Sequence, residues 1–280
     1  MKIYPIETGN FKLDGGAMFG VVPKTIWNKT SPADSNNRCS FAMRSLLIED
    51  GDRLILIDTG LGDKQSKQFF SYYDLHGEAT LTSSLAALGF HCDDVTDVIL
   101  THLHFDHVGG GVKFNKDRTQ LELQFKNAKY WSNKNHWQLA KEPNPREAAS
   151  FLTENILPIE ESGQLHFIES GKEFGNQFSF LLAHGHTESQ IIPHINYKGK
   201  TIVFCADLLP TAAHIPLPYV MSYDTQPLVT MKEKEQFLTT AYNKDYVLFL
   251  QHDALHECCS LKETEKGIRL NATHQLFDVL

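Results

Sequence analysis

The chain reads as an α/β protein, a sheet core with helices outside it, and three observations carry that reading. Short apolar runs of strand type recur at Ile3–Glu7, Ser45–Ile48, Leu54–Asp58, Val98–Thr101, Gln177–Leu182, Ile191–Ile195, Thr201–Cys205 and Val247–Leu250. Stretches of helical spacing fall between and after them, at Leu81–Leu88, Asn133–Lys141, Arg146–Ile156 and Met231–Asn243. Several strand runs end directly on residues able to do chemistry, the placement in which loops of α/β proteins carry function.

The punctuation agrees. Asp52 and Gly60 flank the Leu54–Asp58 run, giving it a hairpin-like start and a sharp exit. Pro143-Asn144-Pro145 separates two helical stretches, because neither proline can continue a helix interior. Those two stretches are candidates for a cover over a site. No linker, composition break or internal repeat divides the 280 residues, so a single domain spanning 1–280 is expected.

Composition excludes some classes. Hydrophobic residues at 41% and charged residues at 21% fit a soluble globular enzyme with a substantial core. A net charge of −8 counts against a nucleic-acid partner, which needs a basic patch. The five cysteines are scattered, odd in number and without a Cys-x-x-Cys pair. They read as thiols of a reducing compartment, and with no secretory h-region at the N-terminus the expected location is cytoplasmic. No apolar run is long enough to cross a bilayer, so no membrane partner is expected.

The most telling stretch is Thr101-His-Leu-His-Phe-Asp-His-Val-Gly-Gly110. An apolar run leads into it from Asp97, so the block is expected to be a strand followed by a loop, opening towards a helix after the glycines. Alternation along an extended chain throws His102 and His104 to one side, and the turn beyond can return Asp106 and His107 to the same point. Three imidazoles and a carboxylate within six residues are costly to bury unless something satisfies them. A divalent cation does so, and this donor set suits zinc, iron or nickel better than magnesium or calcium. Three later places follow apolar strands in the same way: His184 and His186, then Asp207, then His252. All of these are expected to gather along one sheet edge.

With those residues in place, the set His102-x-His104-x-Asp106-His107, Gly-His186-Thr, Asp207 and His252-Asp253 resembles the metallo-β-lactamase-fold hydrolase superfamily. Asp58 in Leu-Ile-Asp-Thr-Gly matches its strand-end aspartate. The resemblance implies a four-layer αββα sandwich with a dinuclear site between the sheets. It implies that His102, His104 and His186 hold one metal and Asp106, His107 and His252 the other, bridged by Asp207. The ions implied are two divalent cations, zinc foremost, with iron, manganese or nickel also fitting. Within the superfamily the chain looks most like the N-acyl homoserine lactonase and methyl-parathion-hydrolase-like branch, on the Gly15–Lys24 opening and the run from Asp207 to Thr211.

The implied activity is attack of a metal-activated hydroxide on an ester, lactone or phosphoester of a small molecule, with Asp106 relaying the proton. One departure is marked. Where the lactonase branch often has a tyrosine three residues past the bridging aspartate, this chain has Pro210, and Tyr219 or Tyr223 would have to serve instead. Asp58 is a candidate for orienting a ligand imidazole, while His214 and Phe105 are candidates for a pocket wall. Cys205 reads as a core thiol rather than a nucleophile. The alternatives are a glyoxalase-II-like thioesterase, a nuclease, and a metal-binding sensor or scaffold without significant turnover. A homodimer is an open alternative to a monomer.

Overall fold

The structure, a computed structural model, describes residues 1–169 and 171–280. Its strands are β1 (Lys2–Ile6), β2 (Asn10–Asp14), β3 (Arg38–Ala42), β4 (Ser45–Asp50), β5 (Arg53–Ile57), β6 (Asp97–Ile99), β7 (Val112–Phe114), β8 (Leu121–Leu123), β9 (Lys129–Ser132), β10 (Leu165–Phe167), β11 (Phe178–Ala183), β12 (Gln190–Tyr197), β13 (Lys200–Phe204), β14 (Val247–Phe249), β15 (Cys258–Thr264) and β16 (Gly267–His274). The helices are α1 (Gly15–Phe19), α2 (Lys24–Trp27), α3 (Lys67–Tyr73), α4 (Leu81–Ala87), α5 (Phe105–Val108), α6 (Lys134–Lys141), α7 (Thr153–Glu161), α8 (Pro227–Asn243) and α9 (Leu276–Val279). Two compact units emerge, Met1–Asn10 with Met43–Ser170, and Phe11–Ala42 with Gly171–Leu280.

The first unit holds a six-stranded sheet in the order β1-β4-β5-β6-β9-β10. β1, β4 and β5 pair antiparallel, with Gly51 in left-handed conformation in the β4–β5 turn. From β5 onwards the pairing is parallel, and the crossover after β5 carries α4. Leu47, Leu56, Val98 and Tyr130 join Leu85 of α4, Trp137 of α6 and Ile156 and Ile159 of α7 in one buried cluster. Each fully buried aliphatic side chain here contributes about 1.5–3 kcal/mol. This cluster fixes the level at which β6 ends, and hence where the histidine block begins.

The second unit holds the other six-stranded sheet, β11-β12-β13-β14-β15-β16, parallel only between β13 and β14. A parallel pair needs a long crossover, and here it contains α8. Pro227 opens that helix, where a missing N–H costs nothing, and Phe237, Leu238 and Ala241 are its buried apolar residues. The small β2–β3 ribbon with α1 and α2 belongs to the same unit.

Four expectations need correction. The helix expected after the glycines of the histidine block lies before them, as α5, and the chain leaves Gly109–Gly111 into β7. The stretch Arg146–Ile156 is not one helix: α7 starts only at Thr153 and runs through Pro158 to Glu161. Residues 144–151 form successive turns instead, because the Asn144 side chain accepts from the N–H groups of Arg146 and Glu147. The helix expected from Met231 begins earlier, at Pro227. The polar strand-end residues do not share one sheet edge: His102 follows β6 of the first sheet, whereas His186, Asp207 and His252 follow β11, β13 and β14 of the second. Among the described residues, no helix is long and apolar enough to cross a membrane.

Candidate metal centre

In the first unit, the histidine block is held from below by Asp58. This residue leaves β5 with φ 57, the left-handed region that aspartate tolerates better than most. Its fully buried carboxylate accepts from the Thr101 N–H at 2.8 Å, the Thr101 hydroxyl at 2.8 Å and His107 Nδ1 at 3.0 Å. The Thr101 hydroxyl has one proton and gives it to Asp58, so it accepts from His102 Nδ1, 3.1 Å away. Both rings are thereby fixed in the tautomer that leaves Nε2 with its lone pair, the arrangement of metal-ligating histidines. The Thr59 N–H and hydroxyl both donate to the His107 carbonyl, at 2.7 and 3.0 Å.

The rings converge. The His102 centroid lies 3.8 Å from that of His107 and 4.6 Å from that of His104, and Asp106 Oδ2 is 3.7 Å from His107 Nε2. His136 of α6, fully buried, accepts from the Leu103 N–H at 2.8 Å and steadies the backbone between His102 and His104. The glycines that follow are required by close packing: a Cβ on Gly109 would collide with the Leu61 carbonyl, and one on Gly110 with the Thr59 carbonyl. Lys64 donates to the Gly109 carbonyl, and burial pulls its ammonium down to about 8. Beside Asp106, burial and that carboxylate push the Tyr73 phenol up to about 12, so it stays protonated at neutral pH.

In the second unit, His186, Asp207 and His252 form a second constellation. Gly185 lets the chain pass against α8, where a Cβ would meet the Thr230 backbone. The His186 Nδ1–H donates to buried Asp224 at 2.7 Å, and the His252 Nδ1–H donates to the Ala42 carbonyl at 2.8 Å. Asp207 lies in a single turn after β13, opened by Ala206 at φ 43. Its Oδ2 is 3.2 Å from His186 Nε2 and its Oδ1 is 3.0 Å from His252 Nε2.

This geometry is a test of fit for a metal. With the Nδ1 sides turned to Asp224 and the Ala42 carbonyl, the Nε2 atoms face the Asp207 oxygens, and a cation bound among them would be held by all three side chains. That donor set of imidazole and carboxylate suits a zinc-like ion. The residues fit the group.

The remaining candidates fall as follows. His214 is 1% exposed; its Nε2–H donates to the Met18 carbonyl at 2.9 Å, so its Nδ1 accepts from the Thr211 hydroxyl at 2.7 Å. It stacks on Phe19 at 4.7 Å, and burial pulls its imidazole down to about 3. Phe105 is buried in an aromatic group with Phe69 and Tyr73. Tyr223 is exposed, while Tyr219 packs edge-on against Phe19 and lines a cavity of about 520 Å³ with Phe41, Ile215, Asp253, Leu255 and Arg269. His184 turns to Glu188 at 2.7 Å. The Asp253 carboxylate accepts from the N–H groups of Ala212, Leu255 and His256. Cys205 is fully buried and its thiol is held well above its ordinary range by burial, which removes it as a nucleophile. His136, Asp224 and Tyr73 escape a reading of the sequence. Asp224 lies 38 residues from the ring it orients, with no motif to tie them.

Each of the two constellations gathers imidazole and carboxylate groups, the donor set of proteins that hold a divalent metal. The model of the metallo-beta-lactamase superfamily matches residues 44–252, well over half of the chain, and the chain belongs to that family. A probable metal-dependent hydrolase from Staphylococcus aureus shares the fold with a TM-score of 0.87 at 27% identity, over 98% of this chain and 96% of that one. The dizinc quorum-quenching lactonase AidC does so with a TM-score of 0.78 at 22% identity, over 98% and 95%. In sequence, the N-acyl homoserine lactonase AiiB of Agrobacterium fabrum is 27% identical over 126 residues, 42% of this chain and 45% of the relative. The chain thus aligns with less than half the length of that curated relative.

Proposed function

We propose that this chain is a dinuclear metal-dependent hydrolase that cleaves an ester, lactone or phosphoester bond in a small molecule, its two units acting as one hydrolase domain over 1–280. His102, His104 and His186 would hold one divalent ion and Asp106, His107 and His252 the other, with Asp207 shared and zinc the foremost candidate. The observation that carries the reading is Asp207, whose two oxygens stand 3.2 and 3.0 Å from the Nε2 atoms of His186 and His252. Membership of a hydrolase superfamily supports it, and the likeness to lactonases makes lactones the first substrates to try.

When bound, the ions supply a water of lowered pKa and a Lewis acid for the substrate oxygen. The protein's own groups do the rest. Asp58 and Asp224 hold His107 and His186 in the ligating tautomer. Asp106 takes the proton released by the attacking water and passes it to the leaving group. Tyr73, whose ring packs on Phe105 next to Asp106 and whose phenol is kept protonated by burial and that carboxylate, would be the group to donate a hydrogen bond to oxygen charge developing on the substrate.

The test couples metal content to turnover, on protein purified without chelator, against lactones, aryl esters, thioesters and phosphotriesters. About two ions per chain and chelator-sensitive hydrolysis of one class are expected. Full turnover by metal-free protein would overturn the proposal.

A further inference from the structure

The cavity of about 520 Å³ beside Tyr219 lies wholly within the second unit. Its walls are drawn from residues 30–32, 39–41, 211–219, 253–256 and 269–270, and none of the metal ligands proposed above lines it. Sites for small molecules have volumes of roughly 300–1,000 Å³, with apolar walls and a few polar groups that fix orientation. This cavity has that character. Phe41 and Ile215 are buried walls, Tyr219 adds a half-buried ring, and Leu255, 71% exposed, stands at the mouth. An apolar body entering here would cover surface that Leu255 now leaves to water.

The walls are held in shape by groups that the metal chemistry does not use. Lys234 of α8, 1% exposed, donates to the carbonyls of His214, Pro216 and Tyr219 at 3.0, 3.2 and 2.8 Å. An ammonium has three protons, so each has its acceptor and the 214–219 stretch is clamped to the helix. The Asp253 carboxylate accepts from the N–H groups of Ala212, Leu255 and His256, each at 3.0 Å, which ties two walls together. The Cys39 thiol donates to the Ser31 carbonyl at 3.1 Å and joins the two strips before β4. A cavity fixed in this way loses little freedom when a ligand enters.

Arg269 of β16 supplies charge. It is half-buried on the cavity wall, its Nη1 donates to the Ile268 carbonyl at 2.7 Å, and among the described residues it has no carboxylate partner, in a chain of net charge −8. A guanidinium has five N–H donors in a planar fork that matches a carboxylate. A phosphate dianion fits less well, since one guanidinium would face two charges with Asp253 in the same cavity.

From this pairing of a clamped apolar cavity with an unpaired guanidinium we infer that the second unit has a binding site for a small amphipathic carboxylate. Its apolar body lies among Phe41, Ile215, Tyr219 and Leu255, and its carboxylate meets Arg269. The site shares no residue with the metal centre, so the inference stands apart from the metal reading.

The test is calorimetric titration of the full chain with octanoate, on protein as purified and on protein stripped of metal. About one molecule per chain should bind with the same affinity to both, whereas a carboxylate sitting on bound ions would be lost on stripping. Octanamide, with the body but no charge, and acetate, with the charge but little body, should each bind at least about tenfold more weakly. Arg269→Gln should weaken octanoate about tenfold or more, and Leu255→Asp, which sets a like charge at the mouth, should weaken it as well. Unchanged melting temperatures of both variants show that folding is not the cause. Octanoate binding that is absent in the parent, lost on stripping, or unchanged in either variant would overturn the inference. A concentration-dependent doubling of mass without octanoate binding, abolished by Leu255→Asp, would also overturn it and make the cavity a contact between copies of the chain.

Discussion

Asp224 offers the sharpest test of how the site is held. It is 1% exposed, and its Oδ1 accepts from His186 Nδ1 at 2.7 Å, the length of a charge-assisted hydrogen bond. Such a bond is worth about 1.5–3 kcal/mol, against about 0.5–1.5 for a neutral one. Asp224→Asn keeps the acceptor oxygen but removes the charge, a loss of about 1–1.5 kcal/mol in the basicity lent to the ring. At about 1.4 kcal/mol per factor of ten, affinity for the ion on His186 should fall roughly tenfold. Asp224→Ala removes the bond and frees the tautomer, which should bring the loss to about 100-fold. The assay is chelator competition on stripped protein at one fixed pH, with the melting temperature of the metal-free variants as a control on folding. An Asp224→Ala protein that binds metal as tightly as the parent would refute the reasoning.

Other outcomes follow from the same geometry. His214 is neutral in the fold, its imidazole pulled down to about 3 by burial, whereas the unfolded chain takes up that proton below its ordinary 6.5. Stability is therefore whole above about pH 6.5 and lost as pH falls towards 3; thermal melts across that window should show a shallower acid slope for His214→Gln, and an unchanged slope would contradict the assignment. Gly110→Ala drives a Cβ into the Thr59 carbonyl, and since Thr59 also holds the His107 carbonyl, both stability and metal affinity should drop, by at least about 2 kcal/mol in a denaturant melt. Tyr73→Phe should leave metal content unchanged and lower kcat about tenfold, measured on whichever substrate the parent hydrolyses; an equal kcat would remove the phenol from the reaction.

How much was legible beforehand depended on range. The strands into the chemistry-bearing loops were readable because β5, β6, β13 and β14 are buried apolar runs ending in polar residues. Asp58 was readable through its strand-end motif, and its carboxylate does reach a histidine of the block. What stayed hidden acts across distance. Asp224 and His136 each meet their partners through tertiary packing, and a lone aspartate or histidine carries no periodicity to announce it. The false helix over Arg146–Ile156 has a local cause: the spacing of apolar residues suited a helix, but Asn144 captured the backbone N–H groups first. The short strands β7 to β10 and the polar hairpin β15–β16 lack the alternation that marks longer, half-buried strands.

The central claim is that these side chains hold two ions, and anomalous diffraction from crystals of the zinc-loaded protein tests it most directly. The account predicts two peaks, one bonded to His102, His104 and His186, the other to Asp106, His107 and His252, with Asp207 touching both. A single ion, or zinc bound only at other residues, would contradict it.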